Sequence, residues 1–163
     1  MVETDVLNGK KVLIVDDDSD ILAVCKELLD MCSIDTAPGF TSAKKLLMQN
    51  RYDAAILDIM GVKGYDLLDL TIEKCIPTLM LTAHAMTPED FVKSIKNGAH
   101  AFIPKEKITD IAVFLIDILD VNEKDLKGIG KWFTRLEDFF DKKFGYYWKE
   151  KTEEDPDFWK NLY

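Results

Sequence analysis

Three short runs of nearly uninterrupted aliphatic residues constrain this chain more than any other feature: KVLIV (11–15), AAILD (54–58) and PTLML (77–81). A strand that is apolar at every position has both faces buried, as in a parallel sheet covered by helices. Two further runs, SIDTA (33–37) and AFI (101–103), bring the number to five. Each run is followed by a segment whose apolar residues recur at helical spacing. Ser19 or Asp20 caps the first helix, which places Ile21, Leu22, Cys25, Leu28 and Leu29 on one face. The second, Thr41 to Asn50, presents Ala43, Leu46 and Leu47, and the third, Tyr65 to Lys74, presents Leu67, Leu68 and Ile72. The fourth runs from Pro88 to Asn97 and presents Phe91, Val92 and Ile95; Thr87 opens it and Gly98 closes it. The fifth, Thr109 to Leu119, presents Ile111, Phe114, Leu115 and Ile118.

Five βα units with right-handed crossovers predict an α/β fold. The expected sheet is doubly wound, five-stranded and parallel, spanning residues 10–121. A tail, 1–9, precedes it and a C-terminal helical extension, 122–163, follows. In such sheets the working site lies at the carboxyl ends of the strands. Asp16, Asp17 and Asp18 follow the first run, Asp58 ends the third, Thr82 follows the fourth and Lys105 follows the fifth. The fold therefore gathers carboxylates, one hydroxyl and one lysine on a single edge.

Adjacent carboxylates repel unless a cation sits between them. Magnesium, a hard ion, takes one or two carboxylates together with phosphate oxygens. An aspartate beside it can attack a phosphoryl group and become an acyl phosphate, and that transfer needs positioning and positive charge above all.

Composition removes several other classes. The net charge is −9 and no stretch is strongly basic, which argues against nucleic-acid binding. No apolar run is long enough to span a membrane, and the N-terminus lacks the apolar core of a signal peptide. Cys25, Cys32 and Cys75 have no ligand-like spacing; they read as small, buried, reduced thiols of a cytoplasmic protein.

The segments VLIVDDDSDIL, YDAAILDIM, IPTLMLTAH and GAHAFIPK, in this order and register, resemble the receiver domain of the response regulators of two-component signalling. The resemblance makes the fold flavodoxin-like, with the strands in the order 2-1-3-4-5, and implies that Asp58 is the phosphoacceptor. It implies magnesium held by Asp17 directly, by Asp16 through water, by Asp58 and by the backbone carbonyl of Met60. Thr82 would be the switch hydroxyl, Phe102 the aromatic that turns inward with it, and Lys105 the phosphate-binding lysine. Asp18 would be structural. His84 would lie at the mouth of the site, where it and Met60 influence phosphoryl lifetime, and His100 reads as a surface residue. The implied partner is a sensor histidine kinase or phosphotransfer protein, and the chain would be a switch rather than a turnover enzyme.

Two departures from the family pattern fall beside the chemistry. The loop between the phosphoacceptor position and the next family glycine reads GVKG, about two residues short and without the usual proline. Lys105 is followed by Glu106 rather than proline, so the usual cis peptide is not expected and the lysine would be aimed differently. These departures keep open a receiver fold that serves as an interaction module without being phosphorylated. A third reading, a small phosphatase of the haloacid dehalogenase type, would use Asp16 as its nucleophile.

Residues 122–163 leave the βα rhythm. Their charges nearly cancel, and they hold most of the aromatic residues, including all three tryptophans. Lys127 to Lys131, KGIGK, reads as a break. Trp132, Phe133, Leu136, Phe139, Phe140, Phe144 and Tyr147 then repeat at helical spacing, so the segment 132–148 predicts a helix with an aromatic face. Such a face must be covered. The candidates are the chain's own receiver, a second copy (through this helix or through the face of the fourth helix, fifth strand and fifth helix) or another protein. DPDFWKNLY predicts a short docked helix starting at Pro156.

Overall fold

The computed structural model describes residues 4–83, 86–119, 130–152, 154 and 156–160. The strands are β1 Lys11–Val15, β2 Ser33–Ala37, β3 Ala54–Asp58, β4 Thr78–Thr82 and β5 Ala101–Pro104. They form one sheet in the order β2-β1-β3-β4-β5, every pairing parallel, as predicted. β3 and β4 are buried throughout and β1 nearly so, whereas the edge strand β2 is mostly half-exposed.

The helices are α1 Ser19–Leu28, α2 Phe40–Gln49, α3 Gly64–Glu73, α4 Pro88–Lys96 and α5 Ile111–Leu119, followed by α6 Gly130–Phe144, α7 Trp148–Lys151 and α8 Pro156–Lys160. Most boundaries fall within a residue or two of the predicted ones. α1 is capped one residue earlier than expected: Asp18, not Ser19 or Asp20, accepts the Asp20 N–H at 2.9 Å. A tight 3-10 turn, Lys105–Asp110, takes up the start of the predicted fifth helix. α4 begins with a full capping box: Thr87 accepts the Asp90 N–H, and the Asp90 carboxylate accepts the Thr87 N–H.

Ahead of β1, Leu7 is fully buried and the Gly9 N–H donates to the Met31 carbonyl, so this segment packs on the sheet's end. Only part of the thiol reading holds. All three cysteines are free and Cys25 is buried, but Cys32 is half-buried and Cys75 is exposed at a left-handed φ of 59°. Among the described residues no helix is long and apolar enough to cross a membrane.

The predicted aromatic helix breaks sooner than its periodicity suggests. Gly145, at φ 94°, ends α6, and Tyr146 and Tyr147 turn out to solvent. Of the predicted break at 127–131, Gly130 and Lys131 instead begin α6, and the rest lies outside the described residues. The aromatic face folds back on its own chain. Phe91 of α4 is the hub, with ring centroids 5.3–6.0 Å from Phe102, Trp132, Phe133, Phe140, Trp148 and Trp159. The two faces named as candidates for self-association therefore cover each other.

His100 is not a plain surface residue. Its Nδ1 accepts the Thr78 N–H at 3.1 Å, and its own N–H donates to the Thr78 carbonyl, tying the start of β5 to that of β4. Burial pushes its pKa below the ordinary value of 6.5. The fold uses the neutral ring, so the unfolded chain binds this proton first as pH falls. The contact's contribution is full above the unfolded value and is lost as pH drops through it. The melting temperature of His100→Asn, whose Oδ1 can accept the same N–H without titrating, should fall less than that of the parent between about pH 7.5 and about pH 5.5. Equal falls would show that His100 does not carry the effect.

Candidate functional site: a carboxylate cluster at the carboxyl edge of the sheet

Parallel register places the site. Val15 lies beside Leu57, Asp58 beside Leu81, and Thr82 beside Pro104, so the residues at or just after these strand ends share one edge. Asp16 is 1% exposed and Asp58 3%, while Asp17 is exposed. Carboxylate oxygens of all three lie within 4.8 Å of one another. The Lys105 ammonium stands 2.9 Å from Asp16 Oδ2 and 3.3 Å from Asp58 Oδ1. Asp16 is held from its other oxygen, where Oδ1 accepts the Asp18 N–H at 2.9 Å. Asp18 thus shapes the turn and caps α1, the structural role expected of it.

The electrostatics follow from burying like charges together. Asp58 is pushed up to about 6, first by burial, then by the Asp16 charge; Lys105 opposes the shift and Asp17 adds to it. Burial works against the Lys105 ammonium, but its hydrogen bond to Asp16 and the charges of Asp58 and Asp16 outweigh it, so its pKa rises. A cation among the three carboxylates would turn their repulsion into attraction. The donors are hard, anionic oxygens in a tight group, which suits magnesium.

The short loop after β3 is accommodated by left-handed turns. Gly61 has φ 82° and Lys63 φ 54°. A side chain at Gly61 would run into the Asp17 carboxylate, so this glycine leaves room beside the acidic cluster. Gly64 packs directly on the end of β3; a Cβ there would meet the Asp58 carbonyl and come within 2.8 Å of Ile59 Cα. Met60 is 72% exposed on this loop.

The missing Lys-Pro pair does not misdirect the lysine. Pro104 is the last residue of β5, no cis peptide occurs among the described residues, and Lys105 still reaches both buried carboxylates. Thr82 is buried at the end of β4. Phe102 is fully buried, with ring centroids 5.3 Å from Phe91 and 6.1 Å from Phe140. His84 lies outside the described residues.

The sequence reading missed Asp117. It is 5% exposed on α5 and takes Arg135 of α6 in a two-pronged ion pair, Nε–Oδ2 2.8 Å and Nη2–Oδ1 3.2 Å. Its signal was available as the only charge in the apolar stretch IAVFLIDIL.

The fold and site together define a doubly wound α/β domain with a carboxylate cluster and a lysine at its carboxyl edge. The comparisons narrow this. The model of the response regulator receiver domain matches residues 12–113, and the chain belongs to that family. The two-component response regulator ORR21 of Oryza sativa subsp. japonica is 38% identical over 104 residues, 60% of this chain and 15% of that protein. The transcriptional regulatory protein CpxR of Klebsiella pneumoniae is 34% identical over 99 residues, 58% of this chain and 42% of that one. The match thus spans about a seventh of the first relative and less than half of the second. Among solved structures, a CheY-like receiver domain protein from Methanospirillum hungatei aligns with TM-score 0.64 and 26% identity, over 72% of this chain and 99% of that one. The receiver domain of NtrX from Brucella abortus aligns with TM-score 0.60 and 27% identity, over 68% and 99%. Membership of this family sets aside the phosphatase reading with Asp16 as nucleophile.

The close approach at Gly64 is testable. Gly64→Ala should destabilise the fold by about 3 kcal/mol, because the Asp58–Ile59 backbone, which cannot swing away as a side chain could, blocks the new methyl group. Urea unfolding measures this; a loss indistinguishable from zero would show that the loop gives way freely.

Proposed function

We propose that this chain is a phosphorylation switch in which Asp58 accepts a phosphoryl group from a phosphohistidine of a sensor histidine kinase or phosphotransfer protein. The observation that carries this reading is the buried Asp58 carboxylate at the end of β3, with the Lys105 ammonium 3.3 Å away and two further carboxylates beside it. Asp16, Asp17, Asp58 and the Met60 carbonyl would hold magnesium. When bound, that ion supplies the positive charge that lets an anionic carboxylate and an anionic phosphoryl group approach.

The chain's own groups do the rest. An Asp58 oxygen attacks phosphorus; the new O–P bond forms as the P–N bond of the phosphohistidine breaks, and the imidazole nitrogen keeps the electron pair. Lys105 neutralises one phosphoryl oxygen and the Thr82 hydroxyl donates to another. Burial of Asp58 and Asp16 excludes bulk water from the reacting oxygen. The product stays on the chain, so the event is a change of state rather than turnover. The reading places the chain in the cytoplasm and gives it output through protein contacts.

Intact-mass measurement tests the reading. With magnesium and acetyl phosphate the protein should gain a single phosphoryl adduct. The adduct should be absent from Asp58→Ala and much reduced in Asp17→Asn. A folded protein that gains none, or an Asp58→Ala variant that gains the same adduct, would overturn the assignment; the first result would favour the unphosphorylated interaction module.

A further inference from the structure

Two aromatic side chains of the extension stand outside the cluster around Phe91. Tyr146 and Tyr147 are 77% and 68% exposed, although the next residue, Trp148, is buried. They occupy the turn between α6 and α7. Left-handed Gly145 makes that turn: its N–H donates to the Asp141 carbonyl, and its own carbonyl accepts the Trp148 N–H. Trp148 pins the corner from inside, with Nε1 donating to Asp141 Oδ1 at 3.0 Å. The two phenol rings are thus held outward on an ordered corner.

The charge of this corner runs against that of the whole chain. Residues 141–151 carry four lysines and two acids, in a chain of net charge −9. Lys142, Lys143 and Lys151 are exposed. The acids close to the turn face inward to partners: Asp141 accepts from Trp148, and Glu137 takes the Lys149 ammonium at 2.9 Å. Glu150 is the one exposed acid of residues 141–151, and Asp138 follows a turn earlier on α6. Lysines in the last turn of a helix suit its dipole, which accounts for Lys142 and Lys143. It does not account for Lys151 or for two adjacent bare tyrosines.

We propose that the α6–α7 corner, residues 142–151, docks on an anionic phospholipid surface, with Tyr146 and Tyr147 at the level of the headgroups. A phenol ring buries its apolar body at the membrane boundary while its hydroxyl stays in water. Lysine stems lie along the same boundary and carry their charge to the phosphates. Each lysine brought near an anionic leaflet adds attraction. A protruding corner suits a flat, yielding surface, whereas a nucleic-acid strand takes a cationic groove with stacking platforms along it. The acidic remainder of the chain is repelled by the same surface, so the molecule binds corner-first, reversibly and with strong dependence on salt. The docking stands independently of the role of Asp58.

Co-sedimentation of the full chain with lipid vesicles tests this. At low salt, vesicles of phosphatidylcholine with about one third phosphatidylglycerol should bind the protein at least about fivefold more strongly than vesicles of phosphatidylcholine alone, and salt of about 0.5 M should release it. Lys142→Gln with Lys143→Gln should weaken binding to the anionic vesicles at least about fivefold. Tyr146→Ser with Tyr147→Ser should do the same without any change of charge. Lys44→Gln with Lys45→Gln, an equal loss of charge at exposed positions of α2, should bind as the parent does. All the substituted side chains are exposed, and a thermal melt of each variant checks that the fold is kept. No binding to the anionic vesicles would overturn the proposal. So would equal binding to both vesicle types, or equal weakening by the α2 and corner lysine pairs. Binding to single-stranded DNA without binding to vesicles would also overturn it and would assign the corner to a nucleic acid.

Discussion

Two buried aspartates of like charge need a cation, and the arrangement of this molecule answers that need. Asp16 and Asp58 end neighbouring strands, β1 and β3, so the sheet itself forces their carboxylates together. Lys105 comes from the turn that follows β5, two strands from β3, and β4 between them ends in the small Thr82. A flexible four-carbon stem can span that distance where a shorter side chain could not. The pairing is poised rather than settled, because one ammonium faces two carboxylates and a third stands at the rim. Such a site gains from a divalent cation and from a phosphoryl group, each of which rebalances the charge.

How much of this was legible depends on which physical rule governs each part. Strand positions followed largely from the apolar runs and their alternation with helical segments, rules that depend on residue type, whereas the strand order came with the resemblance to the receiver family. The site followed because every strand points the same way, which makes the carboxyl edge computable from sequence. Details set by close contact did not follow. Asp18 caps α1 because its side chain, rather than that of Ser19 or Asp20, lies in line with a free N–H. The short loop looked like damage beside the chemistry, yet left-handed residues at Gly61 and Lys63 absorb it. The absent proline after Lys105 looked like a change of aim, yet the lysine reaches its partners through a 3-10 turn. His100 was read as solvated because nothing in its neighbours announced the Thr78 N–H, a partner twenty-two residues away.

The extension marks the boundary most clearly. Helical spacing gave its apolar face, but periodicity cannot say what covers a face. It also ran one turn too far, through Tyr147, because the left-handed turn at Gly145 reorients the chain without changing the pattern of apolar residues.

Apolar burial and the ion pairs play different parts in seating that extension. The aromatic cluster around Phe91 provides most of the attraction, since each large ring removes extensive apolar area from water. Aromatic contacts of this kind tolerate sliding and rotation, and many aromatic helices could satisfy them. The Asp117–Arg135 pair does not tolerate either. Asp117 is nearly inaccessible, and two oxygens meeting two guanidinium nitrogens fix both distance and angle. A helix that docked out of register would leave that carboxylate buried without a cation, a cost far above the value of a surface pair. The Lys96–Glu154 pair, with its lysine half in water, adds little by comparison. The face therefore selects its occupant by one buried charge set among rings. Any competing partner must bring both an aromatic stripe and a cation at the position that Arg135 takes.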